Sequence, residues 1–393
     1  MDRTVELALV ERYRQLAEAG TGDLGSHALR VPAAHYTDPV QTRAEIDAMF
    51  LRGPLLVALS PDLPEPGSYL VRDVLERSIL LTRSDDGAVR AFYNACRHRG
   101  ARIAEGRGRR RSLTCPFHAW NWSLTGELIG TPNSRGGFDC VGDDFSSLEA
   151  VAVREVAGLI FVQLGGEDAE AEIDDGIERL VGAALPDLQG YGIGETIWYE
   201  GREIERDCNY KFLVDGFSES YHLPALHKES IARFYDGPGG LADPLGPVAR
   251  IIGIRRSIEG EFERPPEERE LLPHGTTQYL IPPNIVLCHQ RDHIEFWQSF
   301  PVDGRADRCR IEFNLYWPAP MDEEARRKSA FNAEAVWSVT QQEDMPQALA
   351  IHRNLAGGAL AELVFGRNEP ALVHYHEQIA AAIGSTALQR VPA

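Results

Sequence analysis

The sequence predicts an α+β protein built in two parts, a small all-β module followed by a larger domain of antiparallel strands and helices. Two observations predict it. From about 54 to 164, short runs rich in β-branched and aromatic residues alternate with Gly, Pro and Asp turns. Beyond about 195, longer strand patterns are interleaved with helical stretches at 209–221 and 322–343, as in a sheet carrying helices on one face. A composition 43% hydrophobic and 25% charged places both parts among folded globular chains rather than disordered ones.

In chain order, residues 1–20 have the pattern of an amphipathic helix and lack the basic start and apolar core of a secretory signal. Residues 36–50 carry a helix start, with Asp38 as N-cap and Pro39 at the first helical position. The first module's strands are "SYLVRDV", "SILLTRS", "VRAFYNA" and "LIFVQL", and the acidic stretch 167–185 reads as a helix after the module closes. The expected parts are therefore 1–50 (helices packing on the second domain), 51–165 (the β module) and 166–393 (the second domain). The second domain's strands are "IWYEGREIERDC", "VARIIGIRRSIEG", "TQYLIPPNIVLCHQ", "HIEFWQSFPV" and "CRIEFNLYWPAP"; "RPPEERE", 264–270, reads as an exposed loop.

Charge and cysteine usage narrow the function. A net charge of −19 excludes a general nucleic-acid binder, which needs clustered Lys and Arg. The one basic run, Arg107 to Arg111, reads as a solvated loop or as a surface for an acidic redox partner. No apolar stretch approaches the roughly 20 residues that span a bilayer. Six scattered cysteines do not form the dense framework of a small secreted domain, so a reducing cytoplasm is the expected location. Cys140, Cys208, Cys288 and Cys309 are expected to be core thiols.

Cys96-x-His98 and Cys115-x-x-His118, sixteen residues apart, are four metal-ligand side chains in the loops of the β module. A single structural zinc would accept this set. Each loop, however, brings one Cys and one His, an arrangement suited to two irons, with the thiolates on one and the imidazoles on the other. Gly100 permits a tight turn after the first pair. Pro116 and Phe117, with Trp120 and Trp122 beyond, are placed to keep water from the cluster. At these residues the sequence resembles the Rieske [2Fe–2S] proteins, whose C-x-H…C-x2-H pattern it matches in full.

A second set lies in "DCNYKFLVDGFSESYHLPALHKES", 207–230. On a helix from 209 to 221, Asp215, Glu219 and His222 fall near one face through i+4 and i+3 steps. Pro224 disrupts that helix, and His227 can return toward His222 from the following turn. Two His and one carboxylate, with positions left open, is the set of non-haem iron(II) oxygenases. Glu343 and Asp344, at the end of a predicted helix, can supply the carboxylate.

With both sets in view, most of the chain resembles the catalytic α subunit of a Rieske non-haem iron oxygenase of the aromatic-ring-hydroxylating type. The resemblance implies a helix-grip, START-like catalytic domain holding one Fe(II) beside the Rieske module's [2Fe–2S] cluster. Matched residue by residue, Cys96, His98, Cys115 and His118 hold the cluster. His222, His227 and Asp344 hold the mononuclear iron, with Glu343 the second choice for the carboxylate. Glu219 takes the bridging position, linking His222 to His118 of an adjacent subunit in a homotrimer. Three positions depart from the family pattern: Tyr210 stands for Trp, Gly216 for Asn, and Glu219 for the more usual Asp.

The family further implies O2 as co-substrate and a separate NAD(P)H-dependent reductase, with or without a ferredoxin. No G-x-G-x-x-G follows a strand here to bind the nucleotide. The expected reaction is hydroxylation of a small aromatic substrate. The alternative is oxidation or demethylation of a methylated quaternary amine, since a Glu at position 219 is typical of oxygenases of carnitine and betaine-type amines. Two further readings remain: a Rieske electron carrier, which leaves 207–227 unused, and a zinc hydrolase. Leu213, Phe217, Leu223, Asn284, Val286 and Trp297 are candidates for the pocket wall. Arg255, Arg256 and His293 are candidates for binding a substrate carboxylate, with only one of the adjacent arginines able to point inward from a strand.

Overall fold

The structure, a computed structural model, describes residues 1–140 and 145–393, and the side chains of all of these except 237–239. The chain divides into two compact units, Phe50–Ile177 and a second made of Met1–Met49 with Glu178–Ala393. None of the described helices is long and apolar enough to cross a membrane.

The first unit is an all-antiparallel sheet of seven strands, in the order Leu55–Leu59, Leu159–Gln163, Ala150–Val156, Val89–Tyr93, Arg77–Arg83, Ser68–Val74, Arg107–Arg109. A smaller three-stranded sheet, Leu113–Thr114, Asn121–Trp122 and Leu128–Gly130, carries the second ligand loop. Strand runs such as "LIFVQ" are buried on both faces, which explains their unbroken apolar sequence.

The second unit is built on another antiparallel seven-stranded sheet: Thr196–Arg206, Cys309–Pro318, Ile294–Pro301, Ile285–His289, Gly275–Ile281, Val248–Arg255, Tyr235–Leu245. The N-terminal helix Arg3–Ala19 belongs to this unit and is capped by Asp2. It buries Leu9, Val10 and Tyr13 against Leu241, Ile252, Ile254, Ile258 and Leu271. As expected, Asp38 caps the helix Pro39–Glu45, its side chain accepting from the Val40 N–H at 2.8 Å.

Four segments differ from the sequence expectation. The stretch 248–260 is strand only to Arg255, and Arg256–Glu263 turns into 3-10 helix. The helix expected over 209–221 is confined to Lys211–Phe217. Its end follows Gly216, a weak helix former, where the Ser218 hydroxyl bonds back to the Val214 carbonyl. The helix Glu323–Val339 does not stop near 343 but passes through a π turn, Thr340–Asp344, into Met345–Ala356. Finally, His27–Pro32 pairs with Glu362–Phe365 and Gln389–Pro392 in a three-stranded sheet that the sequence did not announce.

Candidate active site: two sets of metal ligands

In the β unit, Cys96 and Cys115 lie in the core, each 2% exposed, while His98 and His118 are half-buried with ring centroids 4.5 Å apart. Each loop is closed by its own backbone. The Gly100 N–H donates to the Cys96 carbonyl at 2.8 Å, with Gly100 at φ +74°, and the Ala119 N–H donates to the Cys115 carbonyl at 3.0 Å, with Ala119 at φ +57°. The indole of Trp120 stacks on His98 at 4.9 Å, and Phe138, which no sequence pattern flagged, meets both rings edge-on. Trp120 and Trp122 are buried as expected. Pro116 and Phe117 are not the expected water shield: both are exposed, Phe117 at 57%, tilted over His118 with the Arg99 guanidinium 5.2 Å from its ring.

Burial raises the Cys96 thiol's pKa, and the neighbouring Cys115 thiol raises it further. A single tetrahedral ion requires all its ligand atoms to be mutual neighbours. Among the described residues, only His222, His227 and Asp344 bring three ligand atoms within 4.8 Å of one another. The Cys/His set is therefore too spread for one zinc, and its buried thiols and outward imidazoles fit the two ends of a [2Fe–2S] cluster.

In the larger unit, Glu219 and His222 sit in the turn beyond the shortened helix rather than on it. Glu219 organises that turn, accepting from the His222 N–H at 3.1 Å through Oε2 and meeting His222 Nδ1 through Oε1. Leu223–Leu226 then forms one helical turn with Pro224 in its first positions, so the proline starts this turn as well as ending what precedes it. His227, 2% exposed, follows at its end.

The π turn delivers the carboxylates. Asp344 Oδ1 lies 3.0 Å from His227 Nε2 and 3.7 Å from His222 Nε2. Glu343 is on the other side of the His227 ring, Oε2 to Nδ1 at 2.8 Å, where it also accepts from Ser230 Oγ at 2.9 Å. Each imidazole thus has a carboxylate on Nδ1 and turns Nε2 toward Asp344, the outer-shell orientation typical of metal-bound histidines. Burial opposes protonation of His227, but Asp344 and Glu343 outweigh it and raise its pKa. Two neutral-capable imidazoles and one carboxylate fit Fe(II) with open positions.

Beneath this set the helix Lys211–Phe217 is pinned by buried charge. Lys211 Nζ lies 2.7 Å from Glu45 Oε2 with both side chains 0% exposed, and Tyr210 donates to the same carboxylate at 3.0 Å. Asp215 accepts from Tyr36 at 2.7 Å and contacts His376 Nε2 at 2.9 Å. Neither network was visible in the sequence, because the partners are more than 150 residues apart.

A cavity of about 100 Å³ opens against His222, His227 and Asp344. Of the expected wall residues, Leu213, Phe217 and Leu223 line it. Asn284, Val286 and Trp297 do not, and Trp297 is packed behind Phe217 at 5.4 Å. Sequence reasoning missed Tyr235, Gln278, Val336, Val339 and Thr340; the last three share a helical face by their i, i+3, i+4 spacing, a signal that was present. A second groove beside Glu219 is walled by Ile351, Leu360 and Val364, which are 39%, 50% and 63% exposed. Glu369 also lines it, its carboxyl pKa raised by burial and by the nearby Glu219 and Asp215 charges.

Residues 53–149 match the Rieske [2Fe–2S] domain, and 197–385 match the ring-hydroxylating α subunit catalytic domain. The chain belongs to the Rieske non-haem iron oxygenases, as a catalytic subunit. It is 32% identical over 342 residues to the carnitine monooxygenase oxygenase subunit of Acinetobacter baumannii, covering 82% of this chain and 84% of that one. Over 250 residues it is 31% identical to the glycine betaine monooxygenase oxygenase subunit of Chromohalobacter salexigens, covering 62% and 52%. The fold matches a crystal structure of a quaternary ammonium Rieske monooxygenase with TM-score 0.77 at 22% identity, over 91% of this chain and 96% of that one. The chain is thus an oxidoreductase with a Rieske [2Fe–2S] domain and a candidate mononuclear iron site, and the carrier and hydrolase readings fall away.

Proposed function

We propose that this chain is the oxygenase component of a multi-component monooxygenase that hydroxylates or demethylates a small quaternary amine. Its electrons come from a separate NAD(P)H-dependent reductase, directly or through a ferredoxin. The observation that carries this reading is the 32% identity to a carnitine monooxygenase subunit over 84% of its length. It displaces the aromatic substrate that the motifs alone suggested. The chemistry of the cavity against the two histidines supports it. Its lining has two aromatic rings, Phe217 and Tyr235, two carboxylates, Glu219 and Asp344, and no Lys or Arg. Rings and carboxylates together favour a cation.

In this reading residues 51–165 form the Rieske domain and 166–393, with the N-terminal helices, the catalytic one. Cys96 and Cys115 hold one cluster iron, His98 and His118 the other; His222, His227 and Asp344 hold the mononuclear iron. When loaded, the cluster supplies single electrons and the mononuclear iron activates dioxygen. Glu219 and Glu343 hold the Nδ1 side of the two imidazoles and so fix which nitrogen faces the metal. Phe217, Leu213 and Leu223 exclude water from the reacting carbon. In a homotrimer, Glu219 accepts a hydrogen bond from His118 of the adjacent copy. The exposed apolar groove next to Glu219 suits burial by that copy.

The test is oxygen uptake and product analysis with the holoenzyme, NAD(P)H and a surrogate reductase. Substrates are trimethylammonio compounds, aromatic acids and methoxyarenes. Uptake coupled to oxidised amine is the expected result; coupled oxidation of arenes alone overturns the reading.

A further inference from the structure

Behind the cavity wall, two tryptophans form a path of adjoining rings that leads from the iron ligands toward solvent. Phe217 lines the cavity against His222, His227 and Asp344, and its ring centroid lies 5.4 Å from that of Trp297. Trp297 is fully buried and stacks on Trp337 at 6.1 Å, the two indole planes 8° from parallel. Phe313 packs against both, at 4.4 Å and 6.2 Å. Trp337 is half-buried on the helix Glu323–Val339, directly after Val336, a residue of the cavity wall. The Arg202 guanidinium stands 5.9 Å from the Trp337 ring, but Glu200 at 2.7 Å and Glu334 at 2.8 Å neutralise its charge. Stacked and tilted rings of this kind pack many cores. What distinguishes this cluster is where its buried indole N–H goes.

Trp297 Nε1 donates to Glu295 Oε2 at 3.1 Å, and Glu295 is itself 2% exposed. The other carboxylate oxygen, Oε1, meets Gln290 Nε2 at 2.9 Å and His293 Nε2 at 3.1 Å. An indole N–H is a donor only and keeps its proton in the neutral ring. Once the ring loses an electron that N–H becomes acidic, and a carboxylate already bonded to it takes the proton and stabilises the oxidised state. Indole is also among the side chains that give up an electron most readily. Tyr235, the other oxidisable ring, lines the cavity directly but is not equipped in this way. Its hydroxyl meets the neutral Thr276 hydroxyl at 3.0 Å, and among the described residues no carboxylate bonds to it. Arg255, opposite Tyr235 in the sheet, holds its guanidinium 5.6 Å from the ring, whereas the adjacent Arg256 is exposed. A cation beside the ring and no base on its hydroxyl both oppose electron loss. Met345, in the same wall, carries a thioether that oxidation converts to a sulfoxide.

We propose that Trp297 and Trp337 are an electron-escape path, with Glu295 as proton acceptor, that removes oxidising equivalents from the mononuclear site when no substrate carbon receives them. The proposal rests on the iron ligands assigned above and not on the identity of the substrate. Hydrogen peroxide, the oxidant of the test, takes up two electrons and two protons to give two waters. The ferrous ion supplies one electron and Trp297 the other. The Trp297 Nε1 proton passes to Glu295 Oε2, leaving a neutral indole radical. Trp337 then gives an electron to Trp297, whose proton returns from Glu295, while Trp337 releases its own N–H proton to solvent. A one-electron reductant in solution, such as ascorbate, restores Trp337 with an electron and a proton. Met345 and the iron-binding histidines are thereby spared.

The test uses the full chain with its cluster oxidised and its mononuclear iron ferrous, mixed with hydrogen peroxide in the absence of substrate and rapidly frozen for electron paramagnetic resonance. A radical signal that narrows when the tryptophans are ring-deuterated is the expected result. Trp297→Phe should remove the signal and raise Met345 sulfoxide several-fold, read by peptide mass spectrometry. Glu295→Gln, which accepts the hydrogen bond but holds no proton, should shrink the signal, and Glu295→Asp should restore part of it. Trp337→Phe should lengthen the life of the radical and make it insensitive to ascorbate. Should Trp297→Phe fold poorly, the half-buried Trp337 variant and the ascorbate response of the wild type still decide. A tyrosine pattern that disappears in Tyr235→Phe, a signal of equal size without mononuclear iron, or Met345 sulfoxide that accumulates equally with and without Trp297 overturns the proposal. Metal analysis separates the two ways to fail. A chain that takes up no mononuclear iron refutes the ligand assignment and the path with it; one that holds the iron yet forms no indole radical refutes the path alone.

Discussion

Cys96 and His222 have separable duties in the proposed scheme. Cys96→Ser should remove the cluster's visible absorbance together with all product. His222→Ala should keep that absorbance and lose product; normal turnover by either variant contradicts the ligand assignment. A second residue-scale consequence concerns His293. Burial opposes its charged form, but Asp292 at 2.7 Å and Glu295 at 3.1 Å outweigh burial and push its pKa up to about 9. Because the folded value exceeds the unfolded value near 6.5, the stabilisation is complete below pH 6.5 and is lost as pH rises through 9. Its size is about 3 kcal/mol. Unfolding free energy measured from pH 6 to 9.5 should fall over that window, and His293→Gln should flatten the fall. Residue identity was the most legible level: all seven proposed ligands were named from spacing and resemblance. What spacing could not say was direction. Phe117, in a loop without periodicity, faces solvent, and Arg255 and Arg256 could be told apart only once the strand was placed.

At the level of elements, the π turn Thr340–Asp344 aims both acidic residues. Such a turn holds one residue more than an α-helix needs, so its removal changes angular register by about 100°. Deleting Gln342 should therefore carry Asp344 away from the histidines. Metal analysis should show the mononuclear iron lost and the cluster retained; a full complement of both would show that the turn is dispensable. The buried pair below the histidines offers a second test. Lys211→Met leaves the Glu45 carboxylate without its cationic partner at 0% exposure, which should cost about 3–5 kcal/mol in denaturant unfolding. Adding Glu45→Gln should return most of that, since the amide still accepts from Tyr210.

These features explain where elements were legible and where they were not. Long strands announced themselves by alternation or by unbroken apolar runs. The π turn has the same local composition as a helix, so 322–343 read as one helix with an end. The sheet of His27–Pro32, Glu362–Phe365 and Gln389–Pro392 joins short segments more than 300 residues apart, and nothing local marks it.

For the assembled molecule, the homotrimer proposal predicts complementation. Chains bearing Cys96→Ser and chains bearing His222→Ala, co-purified as mixed trimers, should regain part of the activity that each lacks alone. No recovery would mean that electrons stay within one chain. Conversely, Glu219→Gln should keep both metal complements and slow reduction of the mononuclear site; unchanged single-turnover rates would remove Glu219 from the path.

The apolar groove around Ile351, Leu360 and Val364 sits on a chain of net charge −19. In the proposed trimer, like charge opposes association and this greasy margin favours it, so electrolyte, by screening the repulsion, should tighten self-assembly. Sedimentation across a single salt series reads this: association that strengthens with ionic strength is the expected outcome, and association that weakens counts against the apolar contact.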